Sequence, residues 1–210
     1  MTVIIFCHGF AYNKNYWSNL TPSFTDSEII LLDLGYFNNE VNYPNLPKQA
    51  NIIGIGHSLG LLKLLSLPIK FNKLIALNGF INFLGYSSTL RQRRTREINL
   101  LKNAFIRNPQ KQLRHFYDNC GTNDLKINER LNLEKLLNDL NFLATNIIIP
   151  QTPILMLNSD DDIIVPTELL KDNLIYFKPT KQIITEGGKH ALGWLKSDLI
   201  TQEIKSFIYD

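Results

Sequence analysis

Five residues, Gly56-His57-Ser58-Leu59-Gly60, constrain this chain more than any others. They follow the apolar run Ile52-Ile53-Gly54-Ile55 and open onto Leu61-Leu62-Lys63-Leu64-Leu65. Strand, G-x-S-x-G, helix is the sequence form of a nucleophile elbow, a turn so sharp that its apical side chain is forced outward. Glycines two before and two after the serine are needed because a β-carbon there would strike the neighbouring strand or helix. The plain alternative is a glycine-rich turn with an ordinary serine, and the rest of the chain decides between the two.

A serine hydroxyl is a poor nucleophile unaided, so an elbow implies a base, an orienting acid and an oxyanion hole. In the strand–elbow–helix architecture the order along the chain is Ser, Asp or Glu, His. Two of the four histidines lie downstream of Ser58. His115 falls in a polar, amphipathic stretch and reads as a solvated surface residue. His190 lies in Glu186-Gly187-Gly188-Lys189-His190-Ala191, a loop between an apolar run and a C-terminal helical segment, and is the expected base. The acid is expected after the run Pro153 to Asn158, where Asp160, Asp161 and Asp162 follow in succession. Such a run also serves as a solvated turn capping the next helix, and local reasoning does not choose among the three. For the oxyanion hole, the Leu59 amide follows the nucleophile, and His8-Gly9-Phe10 after the apolar run 2–7 offers the Phe10 amide.

Short, unalternated apolar runs near 2–7, 28–34, 51–55, 73–77, 153–157 and 182–185 suit strands buried on both faces of a mostly parallel sheet, with helices as crossovers. At 210 residues, 44% hydrophobic and 20% charged, the chain reads as one soluble α/β domain. A strand starting almost at Met1 suggests a sheet shortened at its N-terminal edge. No basic leader or long apolar span is visible, so a cytoplasmic location is expected. Cys7 and Cys120 give no disulfide framework. With no metal-ligand spacing or phosphate-binding glycine loop, neither a cofactor nor a metal is expected.

Residues 86–143 interrupt the alternation and read as helices: Leu90 to Arg107, Pro109 to Asn119 after an Asn108 cap, and Asn132 to Leu143. Such an insertion is expected to cap the site, with 1–85 and 144–210 forming the core. Between Tyr86 and Tyr117, eight basic residues stand against Glu97 alone, a local charge of +7 in a chain whose total is +3. A solvated helix face explains such a run. An acidic partner docking at the pocket mouth also does, and nucleic acid fits less well without a recognisable nucleic-acid fold.

These motifs together resemble the α/β-hydrolase family. His8-Gly9-Phe10 resembles its HGx oxyanion loop, with Trp17 at the spacing of a frequent family tryptophan, and Leu32-Asp33-Leu34-Gly35-Tyr36 its D-x-x-G region. Asp162-Ile163-Ile164-Val165-Pro166 resembles a D-x-x-V-P signature, which selects Asp162 as the acid; Gly187-Gly188-Lys189-His190 resembles a G-G-H loop with one residue inserted. Within the family, Asn108-Pro109-Gln110, Leu113 to Tyr117, Cys120-Gly121, Leu31 to Phe37 and Gly79 to Phe83 are similar to pimeloyl-[acyl-carrier protein] methyl ester esterases of biotin synthesis. Leu61 departs from the pattern, standing where a second glycine often follows the elbow.

The resemblance implies a serine carboxylesterase with Ser58, Asp162 and His190 as triad and Phe10 and Leu59 as oxyanion donors. Trp17, Phe80 and Phe83 are then candidate walls of an acyl slot, each equally readable as core. An acidic acyl carrier protein is the implied partner, with Arg91, Arg93, Arg94, Arg96, Arg107 and Arg114 as candidate carrier contacts. Neither nucleic acid nor membrane is expected as a partner, and the chain is expected to act as a monomer. A general short-chain esterase or thioesterase, and a non-catalytic binding protein of the same fold, are the alternatives.

Overall fold

A computed structural model describes residues 2–37, 51–123, 130–145, 147–149 and 151–209. Six strands form one parallel sheet: β1 (Thr2–Cys7), β2 (Glu28–Leu32), β3 (Asn51–His57), β4 (Lys73–Leu77), β5 (Ile154–Ser159) and β6 (Lys181–Thr185), in the order β2-β1-β3-β4-β5-β6. The apolar runs are these strands because each must bury both faces. Every residue of β5 is buried, as are the last five of both β1 and β3, whereas the edge strands β2 and β6 are half-buried. β2 stops at Leu32, two residues short of the apolar run. The Leu34 N–H turns to His8 Nε2 (3.0 Å), and Asp33 accepts from the Gly35 N–H (2.9 Å), so the backbone leaves the ladder.

Helices α1 (Leu59–Leu65), α5 (Thr167–Tyr176), α6 (Leu192–Leu195) and α7 (Ser197–Tyr209) accompany the sheet. Between β4 and β5 come α2 (Ser88–Arg107), α3 (Pro109–Cys120) and α4 (Leu133–Phe142). Asn108 closes α2 and caps α3, its side chain accepting the Lys111 N–H at 3.0 Å, with Pro109 at the first helical position, where the missing N–H is no loss. Asn132 caps α4 through the Lys135 N–H in the same way. Leu90, Arg94, Ile98 and Phe105 are the buried residues of α2 and fall on one helical face.

The chain changes direction across the sheet between β1 and β3: β2 lies outside β1, and all later strands lie on the other side. In open parallel sheets the crevice outside the carboxyl ends of the strands, at such a switch, is where ligands bind. The loops carrying Phe10 and Ser58 leave those two strand ends.

Candidate active site

The elbow has the backbone its sequence demands. Ser58 adopts φ 51° and ψ −122°, and its N–H is tied to the Leu77 carbonyl at 2.9 Å. That positive φ is strained for any residue with a β-carbon, and close packing on both sides maintains it. A β-carbon on Gly60 would collide with the Cys7 carbonyl oxygen and approach that of His8 at 2.7 Å; one on Gly56 would lie 2.6 Å from the Leu61 α-carbon. The turn thus seats α1 directly against β1 and β3. Leu61, fully buried, occupies the expected glycine position without disturbing it.

Ser58 Oγ lies 3.0 Å from His190 Nε2, and His190 Nδ1 lies 2.8 Å from Asp162 Oδ2. Asp162 is pinned on both oxygens. Oδ1 accepts the Ile164 and Val165 N–H groups at 2.8 and 2.9 Å, and Oδ2 accepts from Asn78 Nδ2 at 2.7 Å as well as from His190. Burial alone would push this carboxyl up. The adjacent His190 and the donated hydrogen bonds outweigh burial and hold it below the usual carboxylate range. An ionised Asp162 fixes the proton of neutral His190 on Nδ1 and leaves Nε2 bare toward Ser58. That is the tautomer a general base requires.

Asp160 and Asp161 do more than solvate a turn. Asp160 Oδ1 accepts the Gly187 N–H and Asp161 Oδ1 the Lys189 N–H, both at 2.8 Å, so the acidic run braces the loop that carries His190. The residue inserted in that loop, Lys189, takes φ 44°, and its carbonyl accepts from Ser159 Oγ (2.6 Å) and Asn78 Nδ2 (3.1 Å). Asn78 therefore grips both Asp162 and the loop that carries His190 with one amide. His57 adds a further hold: its Nε2 donates to the His190 carbonyl at 2.8 Å, while its ring stacks on Tyr16 at 4.4 Å. Burial, with His190 beside it, pulls the His57 imidazole well below its ordinary value and keeps it neutral. Neither Asn78 nor His57 was expected from sequence. The signal available for Asn78 was a polar residue directly after a buried strand.

Above Ser58 lies a cavity of about 470 Å³, with Phe10, Leu59 and His190 among its lining. Ile98, Leu101 and Ala104 of α2, Phe116 of α3, and Leu140 and Leu143 at the end of α4 supply apolar walls. Phe10 also packs edge-on against Phe105 and Phe116, joining the loop after β1 to the inserted helices. The Phe10 and Leu59 amides have no backbone acceptor among the described residues, as donors to an incoming oxyanion must. His115 is exposed, as its sequence context suggests, and also lines this cavity together with Gln112 and Asn119 on the same face of α3.

Of the three proposed acyl-slot aromatics, Phe83 lines the cavity. Trp17 and Phe80 do not. Trp17 is fully buried against Phe6 and Tyr16, and Phe80 is fully buried behind Phe83, so both belong to the core. Among the candidate carrier contacts, Arg94 is corrected: it is buried on the inner face of α2 and lines the cavity. Arg93 is exposed but bonded to Glu168. Arg96, Arg107 and Arg114 are exposed, and Arg91 partly so. Cys7 and Cys120 are buried, which pushes both thiols up and makes them unreactive. Among the described residues no acidic, histidine or cysteine cluster could hold a metal ion, and no helix is long and apolar enough to cross a membrane.

No sequence family and no curated protein matches the chain. Solved structures do. A lipase-esterase related protein from Clostridium acetobutylicum is similar at TM-score 0.71 and 20% identity, over 98% of this chain and 94% of that one. Bromoperoxidase from Bacillus anthracis is similar at TM-score 0.79 and 15% identity, over 100% and 92%. An esterase from Exiguobacterium antarcticum gives TM-score 0.78 and 13% identity, also over 100% and 92%. The parallel six-stranded sheet, its flanking helices and this likeness over nearly the whole chain establish that the protein has the α/β-hydrolase fold.

Proposed function

We propose that the protein is a serine hydrolase that cleaves carboxylic esters through Ser58, His190 and Asp162. The observation that carries this reading is the unbroken hydrogen-bonded line from Asp162 through His190 to Ser58, ending beneath an apolar cavity. Ser58 Oγ attacks the ester carbonyl while His190 Nε2 takes its proton. The Phe10 and Leu59 N–H groups bind the oxygen that becomes negative, and Asp162 stabilises the imidazolium. His190 then protonates the departing alcohol, and water, deprotonated by the same nitrogen, releases the acid from Ser58. A non-catalytic binding protein would have no use for a base held in its competent tautomer against a strained serine.

The finer reading is that the ester is the methyl ester of a pimeloyl chain on an acidic acyl carrier protein. Its support is the apolar cavity, the motif resemblance noted in residues 108–121, and the exposed Arg96, Arg107 and Arg114. Steady-state hydrolysis of methyl pimeloyl-carrier compared with small free methyl esters tests it directly. The carrier reading expects kcat/KM at least about tenfold higher on the carrier, the value of roughly 1.4 kcal/mol of docking energy. Equal values would leave a general short-chain esterase. Higher rates on the carrier thioester bond than on the methyl ester would make the protein a thioesterase.

A further inference from the structure

The cavity wall holds a buried cation that the reaction above does not use. The Arg94 side chain is 7% exposed and lines the same cavity as Ser58 and His190. Its guanidinium is clamped, with the central carbon 4.1 Å from the centre of the Phe83 ring. Nε donates to the Phe83 carbonyl at 3.4 Å, Nη2 to the Ile164 carbonyl at 2.6 Å, and Nη1 to Glu97 Oε2 at 2.8 Å. Those bonds use three of the five N–H groups of a guanidinium. One on Nη1 and one on Nη2 have no acceptor among the described residues. A donor on a buried cation among Phe, Ile and Leu side chains is unfavourable unless an acceptor meets it, so the pair suits an acceptor that arrives with a ligand.

The surrounding charges say what kind of acceptor. Glu97 pairs with Arg94 and, at 3.8 Å, also with Arg93, which is itself bonded to Glu168; two arginines thus face two glutamates, and the negative charge of Asp162 also acts on Arg94. A carboxylate would enter a site with no spare positive charge. A neutral carbonyl oxygen needs none and fits the two remaining donors. We propose that Arg94 selects acyl chains bearing a second carbonyl, an ester or thioester remote from the bond that Ser58 attacks. This inference rests on the ester-hydrolase reading and deepens it.

The test compares three substrates of equal chain length on the full-length protein: a dimethyl dicarboxylate, the corresponding monomethyl half-ester anion, and the methyl ester of the straight-chain monocarboxylic acid. The diester is expected to exceed the other two in kcat/KM by roughly tenfold to a hundredfold, beyond the statistical advantage of its two equal ends, as befits a hydrogen bond from a charged donor. Arg94→Met, which keeps an unbranched apolar stem but removes every N–H donor, is expected to abolish that preference; Arg94→Lys should keep part of it. Glu97→Gln uncovers the Arg94 charge and should raise the half-ester anion relative to the diester, a change that a purely structural arginine would not produce. Turnover of all three without preference, or an equal loss on all three in Arg94→Met, would overturn the proposal and leave the esterase standing. Hydrolysis of none of them would remove the esterase reading and this inference with it.

Discussion

Replacing Asp162 by Asn removes one charge and one acceptor while keeping the shape of the side chain, and the surrounding bonds dictate the outcome. Oδ1 faces two backbone N–H groups, from Ile164 and Val165, so the amide oxygen must take that position. The amide NH2 is then forced into the place of Oδ2, where it meets the Asn78 amide and His190 Nδ1. Turning the amide over would set its NH2 against two backbone donors instead. His190 can relieve the clash only by moving its proton to Nε2, which leaves no lone pair for Ser58. A wrong tautomer in such a triad lowers kcat by roughly 10⁴, or about 5.4 kcal/mol of barrier at 1.36 kcal/mol per factor of ten. Turnover of a chromogenic acetate ester, with folding checked by circular dichroism, measures it. A variant retaining more than about a tenth of wild-type kcat, a loss on the order of 1.4 kcal/mol or less, would mean that Asp162 does not control the tautomer of His190. The stability effect has a definite sign. Asp162 titrates lower in the folded than in the unfolded chain, so it stabilises the fold above its ordinary value of 3.8, and that contribution is lost as pH falls through the folded value. The gap in urea midpoint between wild type and Asp162→Asn should be widest at neutral pH and close in acid.

Three further outcomes are expected. Asp161→Ala frees the Lys189 N–H and should lower kcat by roughly tenfold through a looser His190 loop, the scale of one lost hydrogen bond; Asp161→Asn, which keeps an acceptor, should stay near wild type, and equal effects of the two in steady-state assays would contradict this. Gly60→Ala drives a methyl group into the Cys7 carbonyl and should lose at least about 3 kcal/mol in urea unfolding, because backbone rather than a flexible side chain must yield; an unchanged midpoint would count against the elbow packing. Changing exposed Arg96 and Arg107 to Glu, or raising salt until the screening length falls to ~3 Å near 1 M, should raise KM for a carrier-bound ester and leave a small neutral ester untouched; equal effects on both substrates would exclude an acidic partner at this face.

Ser58 and His190 were readable because each sits in a local pattern whose backbone geometry is written in its own neighbours. The sheet was readable for a related reason: parallel strands buried on both faces must be continuous apolar runs. The acid was harder. Asp160, Asp161 and Asp162 look alike along the chain, and all three bond to backbone; only Asp162 is also within reach of His190 Nδ1. His57 ends β3 and Asn78 follows β4, and they bond to residues in the loops after β5 and β6, a relation that only the folded sheet creates. Composition could not separate Phe83, in the cavity, from Phe80 behind it, because an aromatic ring serves both places. Arg94 carried a signal that the charge count hid. It stands in step with Leu90, Ile98 and Phe105 on the buried face of α2, and so never belonged to the solvated one.

An activated Ser58 reacts with electrophiles that an ordinary serine ignores. Covalent labelling with a serine-directed fluorophosphonate, followed by intact mass and peptide mapping, measures that reactivity. One adduct per chain is expected, on Ser58, absent from Ser58→Ala and much slower to form in Asp162→Asn. An unmodified chain, or an adduct on any other residue, would contradict that activation.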